Sequence, residues 1–189
     1  MKKISDEEKK NLRKVSKSDF LENMSIMSSE EKIETDNLIL KHFTTRSSRE
    51  FYKEVITNIE CTRFIQNSWI GEVKTFEDWN LRVDNYDNFW LIQNKTDKQI
   101  IGCIEVANNY LVTEVSCAQI IWFVKEDFSQ EPLLVEAIKA IVIEYFENRE
   151  FFESEYDLME IRINEKHPEA VAICEKAGFT KEGVLRNRC

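Results

Sequence analysis

I-R-I-N-E-K-H-P-E-A-V-A-I-C-E-K-A-G-F-T-K-E-G-V-L-R, Ile161 to Arg186, is the stretch whose reading decides the fold. Leu158 to Ile163 alternates apolar with other residues, the pattern of a half-buried strand. Pro168 suits the first position of a helix, where its fixed φ helps and its missing N–H has no intrahelical partner. Val171, Ala172, Cys174 and Ala177 then fall on one helical face. Gly178 ends that helix, because without a Cβ it accepts the left-handed conformation of a helix stop. Phe179 to Leu185 reads as a further short strand, interrupted at Gly183. The unit is strand–helix–strand.

Within it, E-K-A-G-F-T-K-E-G-V-L-R (Glu175 to Arg186) resembles the C-terminal signature of the GNAT acetyltransferases. It is most similar to the ribosomal-protein N-terminal acetyltransferase (RimJ/RimL-like) branch and the aminoglycoside and small-amine acetyltransferases related to it. E-T-D-N-L-I-L-K-H-F (Glu34 to Phe43) is similar to the family's opening strand, and W-L-I-Q-N-K-T-D-K-Q-I-I-G (Trp90 to Gly102) to its second and third strands. The resemblance implies an α/β GNAT fold, a central mixed sheet with helices on both faces. It runs from Glu34 to the end, which sets residues 1–33 apart as a charged helical extension ahead of a domain spanning 34–189.

Working outward, 189 residues favour one domain with a real core. A net charge of −9 argues against binding nucleic-acid phosphates. No stretch has the apolar length of a membrane span, and M-K-K-I-S-D-E-E is too charged for a signal peptide. Cys61, Cys103, Cys117, Cys174 and Cys189 are odd in number and lack a C-x-x-C pair, which favours free thiols in a reducing cytoplasm over a disulfide frame or zinc site. Two histidines, His42 and His167, make a histidine metal site improbable.

In the extension, Ser5 to Glu8 has capping-box spacing, and Phe20, Leu21, Met24 and Met27 repeat with helical periodicity. It reads as a solvated or loosely docked arm, or as one that packs on a partner subunit. Leu38 to Leu40 marks a strand, and Ser48 precedes a helix carrying Phe51, Val55, Ile56 and Ile59. Thr75, with Asp78 three residues on, caps a second helix. Phe89–Gln93 and Gln99–Ala107 are β-rich runs split by the hairpin signal N-K-T-D-K, and Val115–Val124 is another strand. Pro132 opens the most apolar helix, with a stripe from Leu133 to Phe146 wide enough to lie across a sheet. The family sheet continues with one more strand beyond G-V-L-R. An unpaired edge there invites strand addition and a homodimer.

The resemblance also implies a site. Acetyl-CoA would sit where two parallel strands splay apart, its pantetheine against Trp122, Phe123 and Val124 and its pyrophosphate on the turn opening the next helix, Gln130 to Val135. An anion suits a helix N-terminus because orphan N–H donors and the positive dipole end meet there. Gln130 and Pro132 stand where the family has glycines, Glu131 replaces a basic or polar residue, and Pro132 removes one donor. Leu133, Leu134 and Val135 keep their N–H groups. The family's cofactor-side asparagine falls at His167, its serine at Ala170, and a tyrosine that reprotonates the leaving thiolate at Cys174. Cys174 reads as that proton donor or as a small buried apolar residue.

Transfer to an amine needs the ammonium deprotonated. Some relatives place a glutamate where this chain has Gln119, which cannot serve. Glu105 is the best remaining base, with Glu114 behind it. Each also reads as a strand-surface charge, and His167 as a base or a helix cap. Phe64, Trp69, Phe76 and Trp79, with Trp90 and Trp122, line a cleft or fill the core. Acidity overall suits a cationic amine, whether peptide N-terminus, aminoglycoside or small amine. The expectation is an acetyl-CoA-dependent N-acetyltransferase. The alternative is a catalytically degenerate GNAT-fold binding or interaction protein.

Overall fold

Apolar residues alternate along the central strands so that each strand feeds two cores, one on either face of the sheet. In a computed structural model, residues 32–62, 65, 68–84, 88–108, 116–126, 131–147, 157–164 and 166–185 are described. They lie in one compact unit, Lys32–Cys189. The expected N-terminal helices, Phe64, Glu114 and Gln130 fall outside the described residues.

Six strands form one sheet in sequence order: β1 Lys32–Glu34, β2 Leu38–Lys41, β3 Phe89–Asn94, β4 Ile100–Asn108, β5 Cys117–Val124 and β6 Leu158–Glu160. Neighbours pair antiparallel except β5 and β6, which are parallel. Trp90 and Ile92 of β3 and Ile101, Ile104 and Val106 of β4 face one core; Phe89, Leu91, Ile100 and Cys103 face the other. α4 (Pro132–Glu147) and α5 (Pro168–Ala177) cover the first face through Leu134, Ala137, Ile138, Ile141, Tyr145 and Ile173. The second face is covered by α1 (Thr45–Phe51), the π-helical turn Tyr52–Ile56, the 3₁₀ turn Ser68–Gly71 and α3 (Phe76–Asp84); α2 is the single turn Ile59–Thr62 between them. Phe51, Trp69, Trp79, Phe89 and Phe123 form an aromatic cluster there, Phe51 and Trp79 stacked at 5.5 Å. Helices on both faces of a mixed sheet is the α/β GNAT architecture.

Punctuation residues act where the sequence placed them. Pro168 opens α5, and Gly178 stops it at φ 101°, with the Phe179 N–H bonded to the Cys174 carbonyl at 3.0 Å. The Thr75 hydroxyl accepts from the Asp78 N–H at 3.2 Å while the Asp78 carboxylate accepts from Thr75 N–H at 2.8 Å, a capping box for α3.

Four expectations need correcting. The first helix starts at Thr45, not after Ser48, because Thr44 and Ser47 form the capping box that stops fraying there. β1 begins at Lys32, inside the stretch assigned to the extension, where it pairs with β2 as a hairpin. Phe179–Leu185 is not a strand: it has no ladder partner among the described residues, and Val184 and Leu185 are 58% and 64% exposed. β6 ends at Glu160, although apolar alternation continues to Ile163.

Candidate active site

That early end of β6 creates the cleft. The parallel ladder joins only Cys117 to Leu158, Ala118 to Met159 and Gln119 to Glu160. Ile161–Asn164 then leaves the sheet, while β5 runs on to Val124. Among the described residues, Ile120–Val124 has a ladder partner on the β4 side alone, Gly102–Val106. An extended segment with one unpartnered edge can hydrogen-bond an extended amide-bearing ligand. Phe123 is buried in the aromatic core, while Trp122 and Val124 are half-buried against the α4 face.

Gly102 fixes the far end of this edge. A Cβ there would meet the Phe123 carbonyl oxygen at 2.4 Å and Val124 Cγ1 at 2.7 Å, so only glycine allows β4 to approach β5 so closely.

The turn into α4 is less open than its sequence suggested. Glu131 holds a left-handed conformation (φ 48°), uncommon for a residue with a Cβ. Val135 donates its N–H to the Glu131 carbonyl at 3.1 Å, so that donor is committed within the helix and is not available to an anion. Leu134 is buried and Leu133 half-buried by their side chains. Lys176, in the last turn of α5, holds the Glu131 carboxylate at 2.6 Å and offsets its charge.

His167 caps α5, its Nδ1 accepting from the Ala170 N–H at 3.4 Å, and stands 3.2 Å from the Glu169 carboxylate. The capping of α5 accounts for its position. Cys174 is buried in α5, and burial, reinforced by Glu175, pushes its thiol up to about 11. A thiol held that firmly is a poorer proton donor than an ordinary one near ~8.5. Its geometry is that of a packing residue.

Glu105 is not a strand-surface charge. Its residue is 2% exposed, and it faces the aromatic core beside Cys103. Trp69 donates its indole N–H to Oε2 at 3.2 Å, and an Arg82 guanidinium nitrogen stands 3.7 Å from Oε1. The same guanidinium lies 4.2 Å over the Trp69 ring. Burial pushes the Glu105 carboxyl up to about 7 against the lowering pull of Arg82 and the Trp69 bond. A carboxyl poised near neutrality is suited to proton transfer. Glu105 pairs across the ladder with Ile121, which places it one strand from the unpartnered edge of β5. Sequence reasoning missed Arg82 and the role of Trp69. The signal available was Arg82's place between Trp79 and Val83, a charge at the margin of an apolar helix face.

Fold and cleft together define the class of acyl-CoA N-acyltransferase folds. The sequence matches a family model described as an acetyltransferase (GNAT) domain over residues 12–180, and the chain belongs to that family. The match takes in residues 12–33, which the quoted motifs leave outside the resemblance. Among solved structures, a RimL ribosomal L7/L12 alpha-N-protein acetyltransferase in complex with coenzyme A superposes with a TM-score of 0.66 at 15% identity, covering 84% of this chain and 89% of that one. A microcin C7 self-immunity acetyltransferase, MccE, in complex with acetyl-CoA and AMP gives 0.62 at 20% identity, over 80% and 83%. Spermidine N-acetyltransferase from Vibrio cholerae, with CoA and spermine, gives 0.62 at 16%, over 80% and 85%. No curated protein matches the sequence at a significant level. No helix among the described residues is long and apolar enough to cross a membrane, and none of their His, Cys, Asp and Glu side chains group into a metal site.

Proposed function

We propose that this chain transfers an acetyl group from acetyl-CoA to a cationic primary amine, with Glu105 taking the amine's proton. The observation that carries the reading is the one-sided half of β5, Ile120–Val124, beside the departing β6. Its N–H and C=O groups on that edge, without a ladder partner among the described residues, fit the amides of a pantetheine arm. The phosphate end fits through the α4 terminus, where Leu133 and Leu134 offer N–H groups and Lys176 offsets Glu131.

Bound acetyl-CoA would supply a thioester whose C–S bond breaks as the new C–N bond forms. The chain's part is to deliver the amine neutral. An alkylammonium has a pKa near ~10.4, so a carboxylate at 4.5 would be a weak partner for its proton. Raising Glu105 from 4.5 to about 7 narrows the mismatch by roughly 3 kcal/mol. The proton moves from ammonium to Oε1, directly or through one water. Cys174, pushed up to about 11, takes no part, and the leaving thiolate is protonated by solvent.

The acceptor fits the range named for the structural relatives, a protein N-terminus or a small polyamine, and the RimJ/RimL-like branch is the proposed affiliation. Of the residues 1–33 expected as an extension, those ahead of β1 at Lys32 are proposed as one preceding the catalytic domain, β6 as an edge suited to a homodimer, and the cytoplasm as the setting, supported by the free thiols of Cys61, Cys103, Cys117 and Cys174.

Thermal melting with acetyl-CoA tests the reading. At a hundredfold excess over Kd, binding stabilises by about 2.7 kcal/mol, which for a chain this size raises Tm by roughly 5–10 °C. A flat response at millimolar acetyl-CoA would favour the degenerate GNAT-fold binding protein, a reading in keeping with Pro132 and the committed Val135 N–H.

A further inference from the structure

Glu105, Trp69 and Arg82 close a triangle drawn from three separate elements, β4, the 3₁₀ turn Ser68–Gly71 and α3. The Trp69 indole N–H donates to Oε2 at 3.2 Å. Arg82 engages the carboxylate by charge and by a side-chain hydrogen bond, with a guanidinium nitrogen 3.7 Å from Oε1. The third side is the same guanidinium lying 4.2 Å over the Trp69 ring, a cation drawn to a π face. Trp69 is in turn packed against Trp79, Phe89 and Phe123, so the ring that donates to Oε2 has little freedom to turn. The Glu105 side chain is 3% exposed and that of Arg82 is 29% exposed, so Arg82 is the member of the pair that keeps contact with solvent.

A buried carboxylate without a cation beside it reverts to its neutral form, which takes up no proton. The ladder neighbours of Glu105, Phe89 of β3 and Ile121 of β5, are apolar and supply no charge. Cys103, two residues back on β4, stays neutral because burial and Glu105's own charge push its thiol well up. Among the described residues, the cation acting on Glu105 is Arg82. We propose that Arg82 is a positioning residue for acetyl transfer: it holds Glu105 in the ionised form and, together with Trp69, fixes the two carboxylate oxygens. This rests on the acetyl-transfer reading, in which Glu105 is the base, and adds the group that keeps it one. A carboxylate has about four acceptor sites and these contacts use two, so Oε1 retains a lone pair for the amine's proton. Arginine suits the task because its guanidinium stays charged at any working pH and is flat enough to lie on an indole while facing a carboxylate.

The test reads Glu105 through the indole N–H resonance of Trp69 in the full chain. That resonance should titrate with a midpoint near 7 in the unmodified chain and should not titrate in E105Q. R82Q removes the charge, and losing an opposite charge at this range moves a carboxyl upward, so the midpoint should rise by at least ~1 pH unit. R82K keeps a charge and should bring it back toward its original place. The limb of kcat/KM for acetyl transfer should move in step, with R82Q several-fold slower than the parent at neutral pH and the gap closing as pH rises past the new midpoint. An arginine that only braces the fold would lower stability or activity at every pH and move neither. R82M, which keeps the aliphatic stem, is read in the same way if R82Q fails to fold. An unmoved midpoint in R82Q, a midpoint that R82K does not restore, or a titration that survives E105Q would overturn the proposal. A Trp69 midpoint that follows Arg82 without any acetyl transfer would leave the hold of Arg82 on Glu105 standing and remove the acetyl-transfer reading. Transfer whose pH limb ignores Arg82 would overturn the positioning role and leave that reading intact.

Discussion

Glu105 stands directly opposite Ile121 in the β4–β5 ladder, so a buried carboxylate is set level with the point where β5 loses its second neighbour. One strand joins the two halves of the proposed chemistry: its edge holds the acyl donor and its partner carries the base. Misplacing either strand separates them.

Glu105→Gln separates charge from shape. A carboxyl raised from 4.5 to about 7 is protonated preferentially in the folded protein, so its stabilising contribution is complete below the unfolded value and is lost as pH rises through about 7. The unmodified chain should lose on the order of 3 kcal/mol between pH 4.5 and 8 through this group. In urea melts the variant should lack that slope and match the parent near pH 4.5. A parallel slope in both proteins would show that Glu105 is not the group responsible.

Activity gives the same residue a second signature. With Glu105 as base, kcat/KM rises with pH through a limb near 7, and Glu105→Gln lowers it by roughly 10²–10⁴-fold. The Glu105→Gln profile should lack the limb. A limb near 7 that persists would assign it to a group other than Glu105.

Gly102→Ala drives a Cβ into the Phe123 carbonyl and Val124. Overpacking of this kind costs about 1–3 kcal/mol. Because the displaced residues end the open edge of β5, acetyl-CoA affinity should fall as well, by calorimetry, beyond what partial unfolding explains. Lost stability with unchanged affinity would exclude this end of β5 from the donor site.

Glu131→Gly removes both a side chain from a left-handed position and a carboxylate from the start of α4. A charge pair about 5 Å apart costs roughly 1–3 kcal/mol, so acetyl-CoA should bind about tenfold more tightly. Unchanged affinity would mean that the phosphates lie elsewhere.

Glu136, in the first half of α4, has a structural task. Glu136 accepts from the backbone and side-chain N–H groups of Asn37, both at 2.9 Å, fastening α4 to the β1–β2 turn. Burial would raise its pKa, but the Thr35 and Asn37 bonds outweigh that and hold it below the usual range. Glu136→Ala should destabilise by about 1–2 kcal/mol in denaturant melts, with acetyl-CoA affinity little changed in the folded fraction. A large affinity loss in well-folded protein would place Glu136 in the site instead.

Local chemistry explains which parts of the fold were legible. Pro168, Gly178, the Thr75–Asp78 pair and the Asn94–Lys98 turn act within a few residues of themselves, so their consequences can be read along the chain. Phe179–Leu185 and the end of β6 depend on whether a neighbouring strand is present, which no local pattern records. The π-helical turn at Tyr52–Ile56 carries no distinctive residues either. Glu105 was legible as a candidate but not as a buried one, since its partners lie 36 and 23 residues away at Trp69 and Arg82. Lys176 offsets Glu131 across 45 residues for the same reason.

The most direct measurement of the central claim is release of free CoA thiol from acetyl-CoA on adding a linear primary amine, compared between the unmodified chain and Glu105→Gln. The account predicts amine-dependent release that saturates in both substrates and falls at least a hundredfold in the variant. Release no faster than the uncatalysed background, or equal release from both proteins, would contradict it.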